Sequence, residues 1–232
     1  MKKVFLLSGL GWGEQRELVQ SLEKELGWEV FVHTLGSESQ PELVPESLRN
    51  ADLVIMRGAW TPSFEEAAFS ELLATKLKFL FDELKIRLAR GDVFKLLAIG
   101  RGANCLLRAN WTELENLRQA KWQSYQADVG TWDTCQFLGL DGDFVTQVHA
   151  RSFPKLEIPL APDNAASIQT WAKFKDGTPV SWRWGAKVFL SWVDPLSYKD
   201  PSQLVDYGYL DSSKVPSRDD FLKNFESTKF SS

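Results

Sequence analysis

The sequence predicts an α/β protein: a parallel sheet flanked by helices in the first half, and a β-rich C-terminal half. Three observations predict it. Short apolar runs that end in glycine or serine recur through the first hundred residues. Segments with helical spacing of leucine separate them. From about Cys135 onward, short β-type segments follow one another with turn residues between.

The first run, "KVFLLS" (Lys3 to Ser8), reads as a buried strand. After a glycine turn, "EQRELVQSLEKELG" repeats leucine at Leu18, Leu22 and Leu26, which is one face of a helix, and Gly27 stands where a helix C-terminal glycine belongs. "WEVFVHTL" alternates as a second strand. "ADLVIMRG" has the continuous apolar character of a central parallel strand and closes on Arg57-Gly58. "SFEEAAFSELLATKLKFLFDELKIRLARG" carries helical spacing over two helices or one bent one and stops at Gly91. "VFKLLAIG" is the next central strand, and "ANCLLRANWTELENLRQA" reads as helix. Then come "CQFLGL", "DFVTQVHARSF", "LEIPLA", "QTWAKFKDGTPVSWRWG" with an Asp176-Gly177 hairpin, and "KVFLSWVDP". A tail of about 199–232 ends in the helical "PSRDDFLKNFESTKF", with Ser217 as N-cap and Asp220 three residues on. This tail is open to packing at home or docking on a neighbour.

The 232 residues suit one domain, 1–232, with one sizeable core. A net charge of -4 gives no footprint for nucleic acid or an anionic membrane surface. No apolar run reaches the roughly 20 residues of a membrane helix, and "MKKVFLLSGLGWGEQ" breaks into glycines before a signal peptide could form, so a cytoplasmic protein is expected. Two cysteines and two histidines are too few for a disulfide framework or a zinc cluster, and a carboxylate-held magnesium site has no motif behind it. No metal and no cofactor is expected. The ten tryptophans are read as core filling.

The segment "KLLAIGRGANCLLRAN" turns from strand to helix at Gly100-Arg101-Gly102, the kind of turn on which α/β enzymes mount a nucleophile. Taken with "RGAW" (Arg57 to Trp60), "PLAPDNA" (Pro159 to Ala165) and "VDPL" (Val193 to Leu196), in this order and spacing, the chain resembles the class I glutamine amidotransferases. It is most similar to the glutaminase part of phosphoribosylformylglycinamidine synthase, of purine biosynthesis, and the likeness runs to about Tyr198. It implies a flavodoxin-like sheet. The family's Pro-Gly-Gly-Phe, Gly-Ile-Cys-Asn-Gly-Phe-Gln, histidine-bearing "PIAHGEG" and Pro-His-Pro-Glu segments correspond to "RGAW", "AIGRGAN", "PLAPDNA" and "VDPL".

What the resemblance implies for chemistry is a loss. Glutamine hydrolysis in the family uses a thiolate, a histidine, an acid that orients it and backbone N–H groups for the oxyanion. The corresponding positions are Gly100, Asp194 and Leu196, and Pro162 stands at the histidine of the third segment. No member of the triad is intact, and a missing nucleophile removes nearly all the rate. The expectation is a catalytically inactive amidotransferase-like protein that binds a protein partner, a synthase-like subunit or a second copy, or a small anion. The alternative is an active glutamine amidotransferase using other residues. An unrelated α/β hydrolase or sugar-binding protein of the same topology is a third reading.

For the anion, the candidate binding residues are Arg57, Gly58, Trp60, Arg101 and Gly102, at the carboxyl ends of two strands and the start of a helix. Against this stands a structural alternative in which Asp194 pairs with Arg57 or Arg101 and plugs the pocket. Cys105 falls inside the predicted helix and Cys135 begins a β segment, so both read as buried residues. His149 reads as structural or surface, while His33, at the end of the second strand, keeps a modest claim on a ligand crevice. "GLGWG" (Gly9 to Gly13) lacks dinucleotide-loop spacing and reads as a turn.

Overall fold

A computed structural model describes residues 1–8, 10, 15–35, 45–58, 72–109, 121–125, 131–140, 144–150, 153–157, 168–197 and 216–230, with 121–125, 131–134, 146–150 and 153–157 described as backbone. The strands are β1 (Lys3–Ser8), β2 (Glu29–Thr34), β3 (Leu53–Gly58), β4 (Lys95–Gly100), β5 (Lys121–Tyr125), β6 (Thr131–Phe137), β7 (Phe144–Ala150), β8 (Phe153–Glu157), β9 (Ile168–Phe174), β10 (Pro179–Trp184) and β11 (Val188–Ser191). The helices are α1 (Gln15–Gln20), α2 (Glu46–Arg49), α3 (Lys78–Ala89), α4 (Arg101–Arg108) and α5 (Arg218–Ser227).

Nine strands form one sheet in the order β2-β1-β3-β4-β11-β10-β9-β6-β7. From β2 to β11 neighbours run parallel, and from β11 to β7 they run antiparallel. β5 and β8 pair separately as an antiparallel ribbon. The apolar runs explain the order. Every residue of β3 and β11 is buried, as befits interior strands covered on both faces, whereas β2, at the sheet edge, has only half-buried and exposed positions.

Local signals hold where the sequence places them. The helix after β1 runs through α1 into a π-helical turn, Ser21–Glu25, which Leu26 closes by donating to the Ser21 carbonyl, and Gly27 follows at φ +66°. The long helical segment is broken at Leu77, between a helical stretch at 72–76 and α3, and Gly91 ends it at φ +78°. In the Asp176-Gly177 hairpin, Gly177 sits at φ +87° and the Thr178 N–H donates to Asp176 Oδ1 at 2.8 Å.

The helix expected from Ala103 is present as α4 to Arg108, and its continuation over 110–120 lies outside the described residues. Two details differ from the sequence pattern. β5 follows with no pattern that announced it, because its pairing with β8 is set by tertiary contacts. The strand expected at "LEIPLA" begins earlier, at Phe153, since an antiparallel partner and not the apolar run sets its register.

The C-terminal helix packs on its own sheet. Ser217 and Asp220 form a reciprocal capping box. Phe221, Leu222 and Phe225 are fully buried, and Phe137, Trp171 and Phe189 meet them edge-on or tilted. At its other end the Lys95 ammonium, at the start of β4, donates to the carbonyls of Phe225, Glu226 and Thr228, closing off acceptors that a helix C-terminus leaves open.

Burial, with the like charge of Lys2, lowers the Lys95 pKa from 10.5 to about 8. Between those values the unfolded chain keeps a proton that the folded chain has released, so Lys95 contributes stability that rises with pH across this window. Denaturant titrations at about pH 7.5 and about pH 10 should show a smaller gain, or a larger loss, for Lys95→Met than for the parent chain.

Candidate functional site

Strands β3, β4 and β11 end side by side. Their register sets Arg57 beside Ile99, Gly58 beside Gly100 and Ser191 beside Ile99. The sequence-predicted residues Arg57, Gly58, Gly100, Arg101 and Gly102 therefore come together at the carboxyl end of the sheet, and Asp194 reaches the same place three residues beyond Ser191. Trp60 and Pro162 lie outside the described residues, as does "GLGWG" apart from Leu10.

Gly100 joins β4 to α4 with φ +57° and ψ -116°. This region is nearly closed to residues with a Cβ, at a cost of about 1–3 kcal/mol, and glycine enters it freely. The chain thus makes a sharp strand-to-helix elbow with no side chain on it. Two residues on, α4 crosses β3 at very short range: a Cβ on Gly102 would stand 2.0 Å from the Met56 carbonyl oxygen. At Gly58 a Cβ would meet the Leu10 carbonyl oxygen at 2.7 Å and Arg101 Cβ at 3.0 Å, so Leu10 and Arg101 close over the end of β3.

The charged groups here are engaged with each other. Asp194 Oδ2 lies 2.8 Å from Arg57 Nε and 2.7 Å from Arg57 Nη2. The same oxygen accepts from the Ser197 hydroxyl at 3.0 Å, and Oδ1 accepts from the Leu196 N–H at 2.9 Å. Arg57 is fully buried and the Asp194 side chain is 13% exposed. Arg101 Nη1 donates to the Leu10 carbonyl at 2.8 Å, and Gln15 Nε2 donates to the Arg57 carbonyl at 3.4 Å. Leu196 is fully buried and has no group that could orient a base. The arrangement clamps the strand ends together, with Asp194 as an acceptor for Arg57 and for its own loop.

The other candidates lie elsewhere. Cys105 is buried inside α4 and Cys135 is buried in β6. His33 stacks on Phe5 at 5.7 Å between ring centroids and meets Phe79 edge-on. His149 stands opposite Trp132 in the β6–β7 pair. Among the described residues no three His, Cys, Asp or Glu side chains gather as a metal site, and no helix is long and apolar enough to cross a membrane.

A residue that sequence reading missed is Arg218, at the start of α5. Burial lowers its pKa, which Asp219, Glu17 and Asp194 raise and Arg57 lowers further, so it lies within electrostatic reach of the Arg57–Asp194 pair. The capping box marks where α5 begins, but no local signal shows what it packs against.

No family model and no curated protein sequence matches the chain. Solved structures do. A glutamine amidotransferase from Thermotoga maritima superposes with a TM-score of 0.56 at 12% identity, over 98% of this chain and 99% of that one. A chain of PurLQS from Thermotoga maritima superposes with a TM-score of 0.56 at 14% identity, over 96% of this chain and 97% of its own. The chain has the class I glutamine amidotransferase-like fold. At these identities the likeness is one of fold. It extends over nearly the whole chain.

Removing one member of a buried ion pair strands the other charge. Asp194→Ala should destabilise the protein by about 3–5 kcal/mol in denaturant titrations, whereas the double variant Arg57→Met with Asp194→Leu should recover most of that loss.

Proposed function

We propose that this chain is a catalytically inactive protein of the amidotransferase-like fold that acts by binding a protein partner. The observation that carries the proposal is the elbow at Gly100: the backbone keeps a conformation suited to displaying a nucleophile, at a residue that has none. Asp194, where the resemblance sets the histidine, is held by Arg57, Ser197 and the Leu196 N–H, and Leu196 stands in the place of the orienting acid. A carboxylate locked to a guanidinium accepts hydrogen bonds and passes no proton between thiol and amide.

The partner in this proposal is a synthase-like subunit or a second copy of the chain, in a cytoplasmic setting. Anion binding at the strand ends is the weaker form of it. It needs Arg57 and Arg101 to face a ligand, whereas Arg57 is fully buried against Asp194 and Arg101 bonds to the Leu10 carbonyl. The competing reading, a working glutamine amidotransferase, requires a nucleophile. Both cysteines are buried, Cys105 within α4 and Cys135 within β6.

The test is release of ammonia and glutamate from glutamine, with and without a candidate synthase subunit. No turnover above the uncatalysed rate is expected. Gly100→Cys should not restore it, because a thiol there has neither histidine nor acid, and the variant should be less stable by about 1–3 kcal/mol. Turnover in the parent chain that Cys105→Ala abolishes would establish the competing reading. Capture of a synthase subunit without turnover supports the scaffold.

A further inference from the structure

β2 ends the nine-stranded sheet, with β1 on one side of it. The Glu29 N–H donates to the Lys2 carbonyl and the Leu35 N–H to the Ser8 carbonyl, so the odd-numbered residues turn their backbone groups toward β1. Val30, Val32 and Thr34 therefore turn theirs outward, and among the described residues these groups have no hydrogen-bond partner. A free edge is a template for another strand, and edges that stay single commonly carry lysine, proline or a bulge. β2 reads "EVFVHT" and pairs with β1 in unbroken register, so it has none of the three. It is also apolar for its place. Val32 is 47% exposed, Val30 and Phe31 are half-buried, and Phe79 of α3 stands half-buried against His33.

We propose that β2 is a self-association edge, which joins two copies of the chain, antiparallel about a two-fold axis at Phe31, into one continuous sheet. The strand is complementary to itself in this register. Val30 stands opposite Val32 of the second copy, and each such pair exchanges two backbone hydrogen bonds through the groups that already face outward. Phe31 meets Phe31 of the second copy at the axis, at a non-hydrogen-bonded position where Cα atoms approach to about 4.5 Å. Glu29 stands opposite His33, a carboxylate beside an imidazole. A slip of one residue would call on backbone groups that β1 already occupies, and a slip of two would set Glu29 against Leu35 and Phe31 against His33. The contact is isologous, so it closes at two copies. It takes up one arm of the partner reading above, the second copy, and stands on the strand edge and not on the elbow at Gly100.

The experiment is sedimentation equilibrium of the full chain from about 1 to about 500 µM, with a monomer–dimer equilibrium expected in that range. Val32→Lys, at an exposed position, should weaken the dimer at least about tenfold with circular dichroism unchanged. Cysteine cross-linking reads the register without relying on that variant: Phe31→Cys should form a disulfide-linked dimer under mild oxidation, and Val32→Cys should do so far less, because only Phe31 faces its own copy. A monomer throughout, a dimer that Val32→Lys leaves unchanged, or cross-linking at Val32→Cys in preference to Phe31→Cys overturns the proposal. A chain that stays monomeric and captures a synthase subunit overturns it too, while supporting the scaffold reading. Glutamine turnover would overturn that reading and leave this one standing.

Discussion

The end of the sheet is organised by one buried charge. Arg57 sits on an interior strand with no exposed surface, and an ion in that position is tolerable only with a partner of opposite sign and good geometry. Asp194 supplies the opposite charge, with two guanidinium nitrogens within 2.8 Å of one carboxylate oxygen. Because Asp194 also accepts from Leu196 and Ser197, the pair ties β3 to the loop after β11 across the intervening β4. The conformation of that loop follows from pairing Arg57 with Asp194.

Close backbone approach makes this possible. The turn at Gly100 delivers α4 directly onto β3, and Gly102 lets the helix settle against the Met56 carbonyl where any side chain would collide. Arg101, between the two glycines, is thereby aimed at the Leu10 carbonyl. In an enzyme such an elbow places a reactive atom over an open pocket. In this chain the same geometry brings α4 against β3, with Asp194 held by Arg57 beside it.

The C-terminal segment illustrates a second use of charge. Lys95, the first residue of β4, reaches three carbonyls at the end of α5, and Lys2 pairs with Glu226 beside it. One end of α5 is capped by its own Ser217 and Asp220, the other by a lysine 130 residues away in sequence from Phe225. Between them a phenylalanine face completes the aromatic core around Trp171.

The sequence by itself determined what depends on near neighbours: the apolar runs that became β1, β3, β4 and β11, the glycine ends at Gly27 and Gly91, the Asp176-Gly177 hairpin and the capping box of α5. It also carried the order of segments that marks the fold, and the absence of a side chain on the strand-to-helix turn at Gly100. Only the tertiary structure decided that Asp194 pairs with Arg57, that β5 pairs with β8, and that Lys95 closes the end of α5. Each of these joins residues far apart in the chain. Backbone propensity and side-chain period act within a few residues, whereas partners for buried charges and strand edges are settled by which segments the packed core brings into contact.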